Sequence, residues 1–177
     1  MIPVDDQPQP PIAFRDPVAP SDVDAVREIV SSSGFFHEHE IAVAVELVQE
    51  RLARGVASGY HFLFAERGAR TVGYTCYGPI ACTVGSYDLY WIAVHEEFRG
   101  HGLGRLLLRA TEERIAKVGG RRVYIETSGR ELYRPTQQFY ERCGYTVEAE
   151  LRDFYAPGDP KLVYSKILAP APQRPTP

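Results

Sequence analysis

The apolar run Leu89-Tyr-Trp-Ile-Ala-Val94 leads into Arg99-Gly-His-Gly102-Leu-Gly104, and an amphipathic run over 103–118 follows at once. That order reads as a strand, a glycine turn and a helix. Glycine accepts the positive-φ backbone that such a turn demands. The first N–H groups of a helix have no intrahelical acceptor, and the positive end of the helix dipole lies beside them. The segment therefore aims unpaired backbone donors at one spot, which suits a phosphate or pyrophosphate.

Spacing narrows the ligand. A dinucleotide fingerprint needs G-x-G-x-x-G, but the third glycine position holds Arg105. A P-loop ends in Gly-Lys-Ser/Thr, whereas Gly104 is followed by Arg105-Leu106. What fits is Arg-x-x-Gly-x-Gly over Arg99–Gly104. A nucleotide-binding module built on the same turn remains an alternative.

The chain has 177 residues, enough for one domain with a real core. A net charge of −3 argues against a general nucleic-acid binder. Cys76, Cys82 and Cys143 have no CxxC spacing and are odd in number, so free thiols in a reducing compartment are expected. No apolar run is long enough to span a membrane, and the N-terminus lacks a signal-peptide pattern. The expected location is the cytoplasm, as a monomer or homodimer. His37-Glu-His39-Glu40 lacks the zinc spacing HExxH, because the fifth residue is Ile41, and no metal is expected.

Prolines at 3, 8, 10 and 11 mark a flexible lead-in over 1–11, and four more mark a tail over 169–177. Between them, 12–168 alternates strand and helix signals. Ile12–Arg15 reads as a strand. Ser21 with Asp24 resembles a helix cap ahead of Val23, Val26, Ile29 and Val30. His37–Arg54 has helical spacing and stops at Gly55. Tyr60–Ala65 and Thr71–Tyr77 form a hairpin, and Tyr87–Val94 is a fourth strand. After the glycine turn, a helix runs to about Val118 and ends at Gly119-Gly120. Then come a strand at Arg122–Thr127, a helix at Pro135–Arg142, and strands at Tyr145–Phe154 and Leu162–Leu168. The order β-α-α-β-β-β-α-β-α-β-β predicts an α/β fold, a seven-stranded mixed sheet with four helices on its faces.

Two motifs in these slots carry a resemblance. Arg99-Gly-His-Gly-Leu-Gly104 resembles the acyl-CoA signature of the GNAT N-acetyltransferase superfamily. Phe139-Tyr-Glu-Arg-Cys-Gly-Tyr145 resembles its F/L-Tyr-Glu-x-x-Gly-Phe/Tyr motif. The element order also matches that fold over nearly the whole chain. The resemblance implies acetyl-CoA as cosubstrate and an N-acetyltransferase. Its pyrophosphate would meet Arg99, Gly100, His101, Gly102, Leu103, Gly104 and Arg105. Its pantetheine arm would pair with backbone at Ile92, Ala93 and Val94, and the N–H near Val94 would polarise the thioester. Tyr140, the motif tyrosine, would be the general acid for the leaving thiolate. Many members carry asparagine seven residues before that tyrosine and alanine four before it. Here Tyr133 and Thr136 stand there, so Tyr133 is expected to face the acceptor instead.

Two carboxylates are candidates to take the amine's proton. Strand alternation puts Asp88, Tyr90, Ile92 and Val94 on one face. Asp88 lies six residues before Val94, where some relatives carry a catalytic acid. Glu126 interrupts the apolar strand Val123-Tyr-Ile125 near its end. Tyr74, Tyr77, Tyr90 and Tyr133 are read as an aromatic wall for the acceptor. The expected acceptor is a small amine or amino-acid-like metabolite. A protein terminus or lysine is the alternative within the enzyme class, and a non-catalytic acyl-CoA sensor is the alternative outside it.

Overall fold

The computed structural model describes residues 10–169. The expected lead-in and tail lie outside them, save for Pro10, Pro11 and Ala169. Seven strands form one sheet in the order β1-β2-β3-β4-β5-β7-β6. They are β1 (Ile12–Arg15), β2 (His61–Arg67), β3 (Arg70–Pro79), β4 (Ser86–Val94), β5 (Arg122–Ser128), β6 (Thr146–Ala156) and β7 (Asp159–Ile167). The helices are α1 (Asp22–Ser32), α2 (Glu38–Arg54), α3 (Leu103–Lys117) and α4 (Arg134–Arg142). The element order is the one the sequence predicts.

Hydrophobic faces dictate the layers. Val26, Ile29 and Val30 of α1, with Ala44, Val45 and Val48 of α2, pack on Phe62, Phe64, Tyr74, Cys76 and Ala93. On the other face, Leu103, Leu107 and Ala110 of α3 cover Leu63, Ala65 and Val72. Tyr140 of α4 joins Leu108, Ile115, Val123, Ile125 and Tyr164 in a third cluster. Fully burying one such side chain contributes roughly 1.5–3 kcal/mol.

The start of α1 departs from expectation. Ser21 has helical dihedrals and makes no capping bond. Asp22 instead anchors the segment that leads into the helix. Its carboxylate accepts the Ala19 N–H at 2.7 Å and pairs with Arg15 at 2.7 Å. A buried carboxylate is tolerated because both donors reach it.

The alternation expected along β4 also fails, for a physical reason. Cys76 pairs with Trp91, but Tyr77 pairs with Leu89, so Tyr90 is an extra residue in the ladder. Such a bulge reverses the facing of every residue beyond it. Ile92 and Val94 pack toward α3. Asp88 instead lines a cavity with Val43 and Leu47 of α2, on the opposite face.

Candidate active site

β4 and β5 make the sole parallel pair among the described residues, and it is short. Ser86, Tyr87 and Asp88 pair with Arg122, Val123 and Tyr124, and no rung follows. β5 pairs with β7 along its other edge throughout, while beyond that point the β4 edge from Leu89 to Val94 has no strand on its β5 side. An unpaired strand edge offers its N–H and C=O groups to an added chain. An extended amide-bearing chain is the kind of ligand that supplies one.

The glycine turn lies at the end of this cleft. After Val94, a short 3₁₀ turn at Glu96–Phe98 leads into it. His95 is buried, and its Nδ1 accepts the Glu97 N–H at 3.3 Å, which ties the entry down. Arg99 Nε donates to the Val94 carbonyl at 2.8 Å and ties strand end to turn. Gly100 and Gly102 hold φ of 78° and 81°, and a Cβ at either would meet nothing within 4 Å. Glycine is therefore required there by backbone conformation, on a face open to a ligand. The first intrahelical bond of α3 is Leu106 N–H to Gly102 O, at 3.1 Å. The N–H groups of Leu103, Gly104 and Arg105 thus have no acceptor within the helix. Leu103 buries its side chain in the core, while His101 and Arg105 are exposed. These residues fit a diphosphate by their backbone, with Arg99 and Arg105 adding charge.

Tyr140 sits on α4, which Gln137 pins to the end of β5 by donating to the Ser128 carbonyl at 3.0 Å. Its ring packs on Tyr145 and Tyr164, at centroid distances of 6.0 and 5.9 Å. Burial, helped by Cys143, pushes its phenol well above the ordinary tyrosine range. Its hydroxyl makes no hydrogen bond among the described residues. A phenol that keeps its proton and has no partner is suited to donate to a developing thiolate.

On the α2 side, Asp88, Glu126, Tyr90, Tyr60, Trp91, Tyr124, Leu89, Val43 and Leu47 line a cavity of about 320 Å³. Tyr60 meets Tyr90 edge-on at 5.4 Å. Burial, then the Asp88 charge, pushes Tyr90 up to about 12. Asp88 is raised as well, by burial first and by Glu126 second, against the pull of Lys161. Glu126 is half-exposed and accepts from Lys161 Nζ at 2.9 Å. Tyr133 is not among the lining residues; it meets Phe35 edge-on at 5.4 Å, and Phe35 in turn meets Phe36, which packs on Trp91.

The structure thus brings Asp88, Glu126 and Tyr90 together, while Tyr133 reaches the lining through Phe35 and Phe36. It does not bring Tyr74 or Tyr77. Tyr74 is fully buried between the sheet and the first two helices, and its hydroxyl is unpartnered. Tyr77 faces the opposite cluster with Leu108 and Ile115. Neither belongs to an acceptor wall, because alternation along β3 sends one into each core. Sequence reasoning missed Tyr60, Trp91, Tyr124 and Lys161. Lys161 carried the same signal that singled out Glu126, a charge beside apolar residues, but its strand was expected to begin at Leu162.

Comparisons with known proteins identify the family and the fold. Residues 58–147 match the family model of the acetyltransferase (GNAT) domain. No curated protein matches the sequence significantly. A Desulfovibrio desulfuricans protein assigned to the GNAT acetyltransferases is 48% identical, with a TM-score of 0.88 over 90% of this chain and 100% of that one. An aminoglycoside 6'-N-acetyltransferase solved with coenzyme A is 19% identical, with a TM-score of 0.71 over 92% and 99%. The Escherichia coli ribosomal-protein-S18-alanine N-acetyltransferase is 13% identical, with a TM-score of 0.65 over 93% and 98%. Sequence and fold together place the chain in the GNAT family of acetyltransferases, whose cosubstrate is acetyl-CoA.

Proposed function

We propose that this enzyme acetylates the primary amine of a small metabolite, by direct attack within a ternary complex. The observation that carries the reading is the cavity of about 320 Å³, lined by two carboxylates together with aromatic and aliphatic side chains. A cavity of this size takes a compact molecule. Its acids attract an ammonium group, and Tyr60, Tyr90 and Trp91 offer faces to the carbon frame.

Acetyl-CoA, when bound, supplies an acyl group on a thioester. The chain's own residues do the rest. Backbone N–H groups of the 99–105 turn bind the diphosphate, and the open β4 edge from Leu89 to Val94 aligns the arm. An N–H near Val94 polarises the acyl carbonyl, which in such sites lowers the barrier by about 3 kcal/mol. Asp88 or Glu126 takes the proton from the incoming ammonium, directly or through water. Tyr140 gives its proton to the departing sulfur. Holding both reactants in one cleft supplies alignment. Cys76, Cys82 and Cys143 are free thiols, which accords with a reducing cytoplasm. No described helix is long and apolar enough to cross a membrane.

Thiol release from acetyl-CoA across a library of amines, amino acids and peptides tests this. Turnover of small primary amines is the expected result. Turnover of peptides alone would replace the metabolite with a protein acceptor, and none at all would favour a sensor.

A further inference from the structure

A cation that the chemistry above leaves unused is bonded to Glu126, one of the residues that line the acceptor cavity. Lys161 lies on β7, opposite Ser128 of β5, and its side chain is only 11% exposed. Its Nζ donates to Glu126 Oε2 at 2.9 Å. It also stands 3.8 Å above the centre of the Phe154 ring. Phe154 reaches it because β6 leaves its ladder between Leu151 and Ala156. Asp153 turns the chain there with φ of 52°, and its carboxylate accepts the Gly158 N–H at 2.7 Å. A short polar side chain that bonds locally is what makes this conformation tolerable.

Asp88 has no such partner. It makes no ion pair or hydrogen bond among the described residues, although it shares the cavity with Glu126. We propose that Lys161 is a positioning residue of the acceptor pocket, holding the Glu126 carboxylate by a direct ion pair and leaving Asp88 as the carboxylate with no contact partner, free to meet the acceptor ammonium. This deepens the small-amine reading and rests on it.

Two consequences follow. The first is charge selection. Asp88 and Glu126 together with Lys161 carry one net negative charge, which matches a singly charged amine on an apolar frame better than a diamine. The second is proton affinity. The groups that face Asp88 are Glu126 and Tyr124 of β5, Lys161 of β7, Tyr90 of β4 and Tyr60 ahead of β2, while α2 presents the uncharged Val43 and Leu47. Lys161 lowers the proton affinity of Asp88 against burial and Glu126. Without Lys161, Asp88 would hold its proton to higher pH.

The test uses wild type, Lys161→Met, Lys161→Gln and Lys161→Arg, the two neutral variants guarding against failure of either to fold. The carboxyl carbons of Asp88 and Glu126 are titrated by NMR in the free enzyme and identified with Asp88→Asn and Glu126→Gln. The neutral variants should raise the Asp88 midpoint, and arginine should restore it. An Asp88 midpoint unchanged by both neutral variants overturns the proposal. In parallel, kcat/KM for 1,4-diaminobutane relative to butylamine should rise about tenfold in the neutral variants, from the doubled negative charge of the pocket. An unchanged ratio also overturns it. If wild type acetylates neither amine, the small-amine reading fails, while the titration still decides the role of Lys161.

Discussion

Asp88 and Tyr124 form the last rung between β4 and β5. Past that rung the strands part, leaving a cleft with two usable sides. Toward α3 and α4 lie the glycine turn and Tyr140. Toward α2 lie Asp88, Glu126 and the aromatic cavity. The bulge at Tyr90 makes this division, because it turns Asp88 to one face and Ile92 and Val94 to the other.

Tyr140→Phe keeps the ring contacts with Tyr145 and Tyr164 and removes only the hydroxyl. Turnover should fall on the order of 100-fold. Coenzyme A affinity, measured by calorimetry, should stay within about twofold, since the turn proposed to bind it is untouched. Wild-type turnover would remove Tyr140 from the chemistry.

Asp88→Asn should trade activity for stability. Asp88 is raised in the folded state, so the native protein holds this proton more tightly than the unfolded chain does. Its stabilising contribution is present below the ordinary carboxylate value of 3.8 and is lost as pH rises through the folded-state value. The amide variant should therefore melt higher than wild type at pH 7, with the gain shrinking toward pH 3. Thermal melts across that range, beside kcat/KM, check both halves.

Gly102→Ala meets no steric obstacle, since a Cβ there has open space. The cost is conformational, about 1–2 kcal/mol for a φ of 81°. If the turn keeps its shape, the melting temperature falls and coenzyme A still binds. If the turn relaxes, its amides lose their aim, and affinity should drop by at least about tenfold. Denaturant titration together with calorimetry separates the two. An unchanged protein in both assays would contradict the role given to the turn.

Thr75 and Thr111 supply a test of the core that carries β4. Their hydroxyls lie 2.8 Å apart in the core, and Thr111 also donates to the Leu107 carbonyl. Thr75 must then donate to Thr111. Thr111→Val strands that donor and should cost roughly 1–3 kcal/mol. Adding Thr75→Val should recover part of the loss, because an unpaired buried hydroxyl is worse than none. Urea unfolding of the three variants measures this coupling.

The sequence was most legible where local chemistry decides structure. The Gly100–Gly104 turn, the halt of α3 at Gly119-Gly120 and the Pro135 start of α4 all depend on residues near each other in the chain. Glu126 was visible because a carboxylate inside an apolar strand stands out. What stayed hidden depends on register between strands. The Tyr90 bulge arises from how β3 pairs with β4, and nothing within β4 alone announces it. Lys161 reaches Glu126 through the β5–β7 register, and Phe154 reaches Lys161 through the excursion of β6. Tyr74 and Tyr77 were misread as wall residues because composition cannot tell which layer a strand tyrosine enters.

The central claim is that the diphosphate of coenzyme A rests on main-chain amides just beyond β4. A crystal structure of the enzyme with coenzyme A tests it most directly. The diphosphate should lie within hydrogen-bond distance of N–H groups in the 99–105 turn. The pantetheine should run along Leu89–Val94, with the sulfur within about 3.5 Å of the Tyr140 hydroxyl. Coenzyme A bound away from that turn, or with its sulfur remote from Tyr140, would contradict the account.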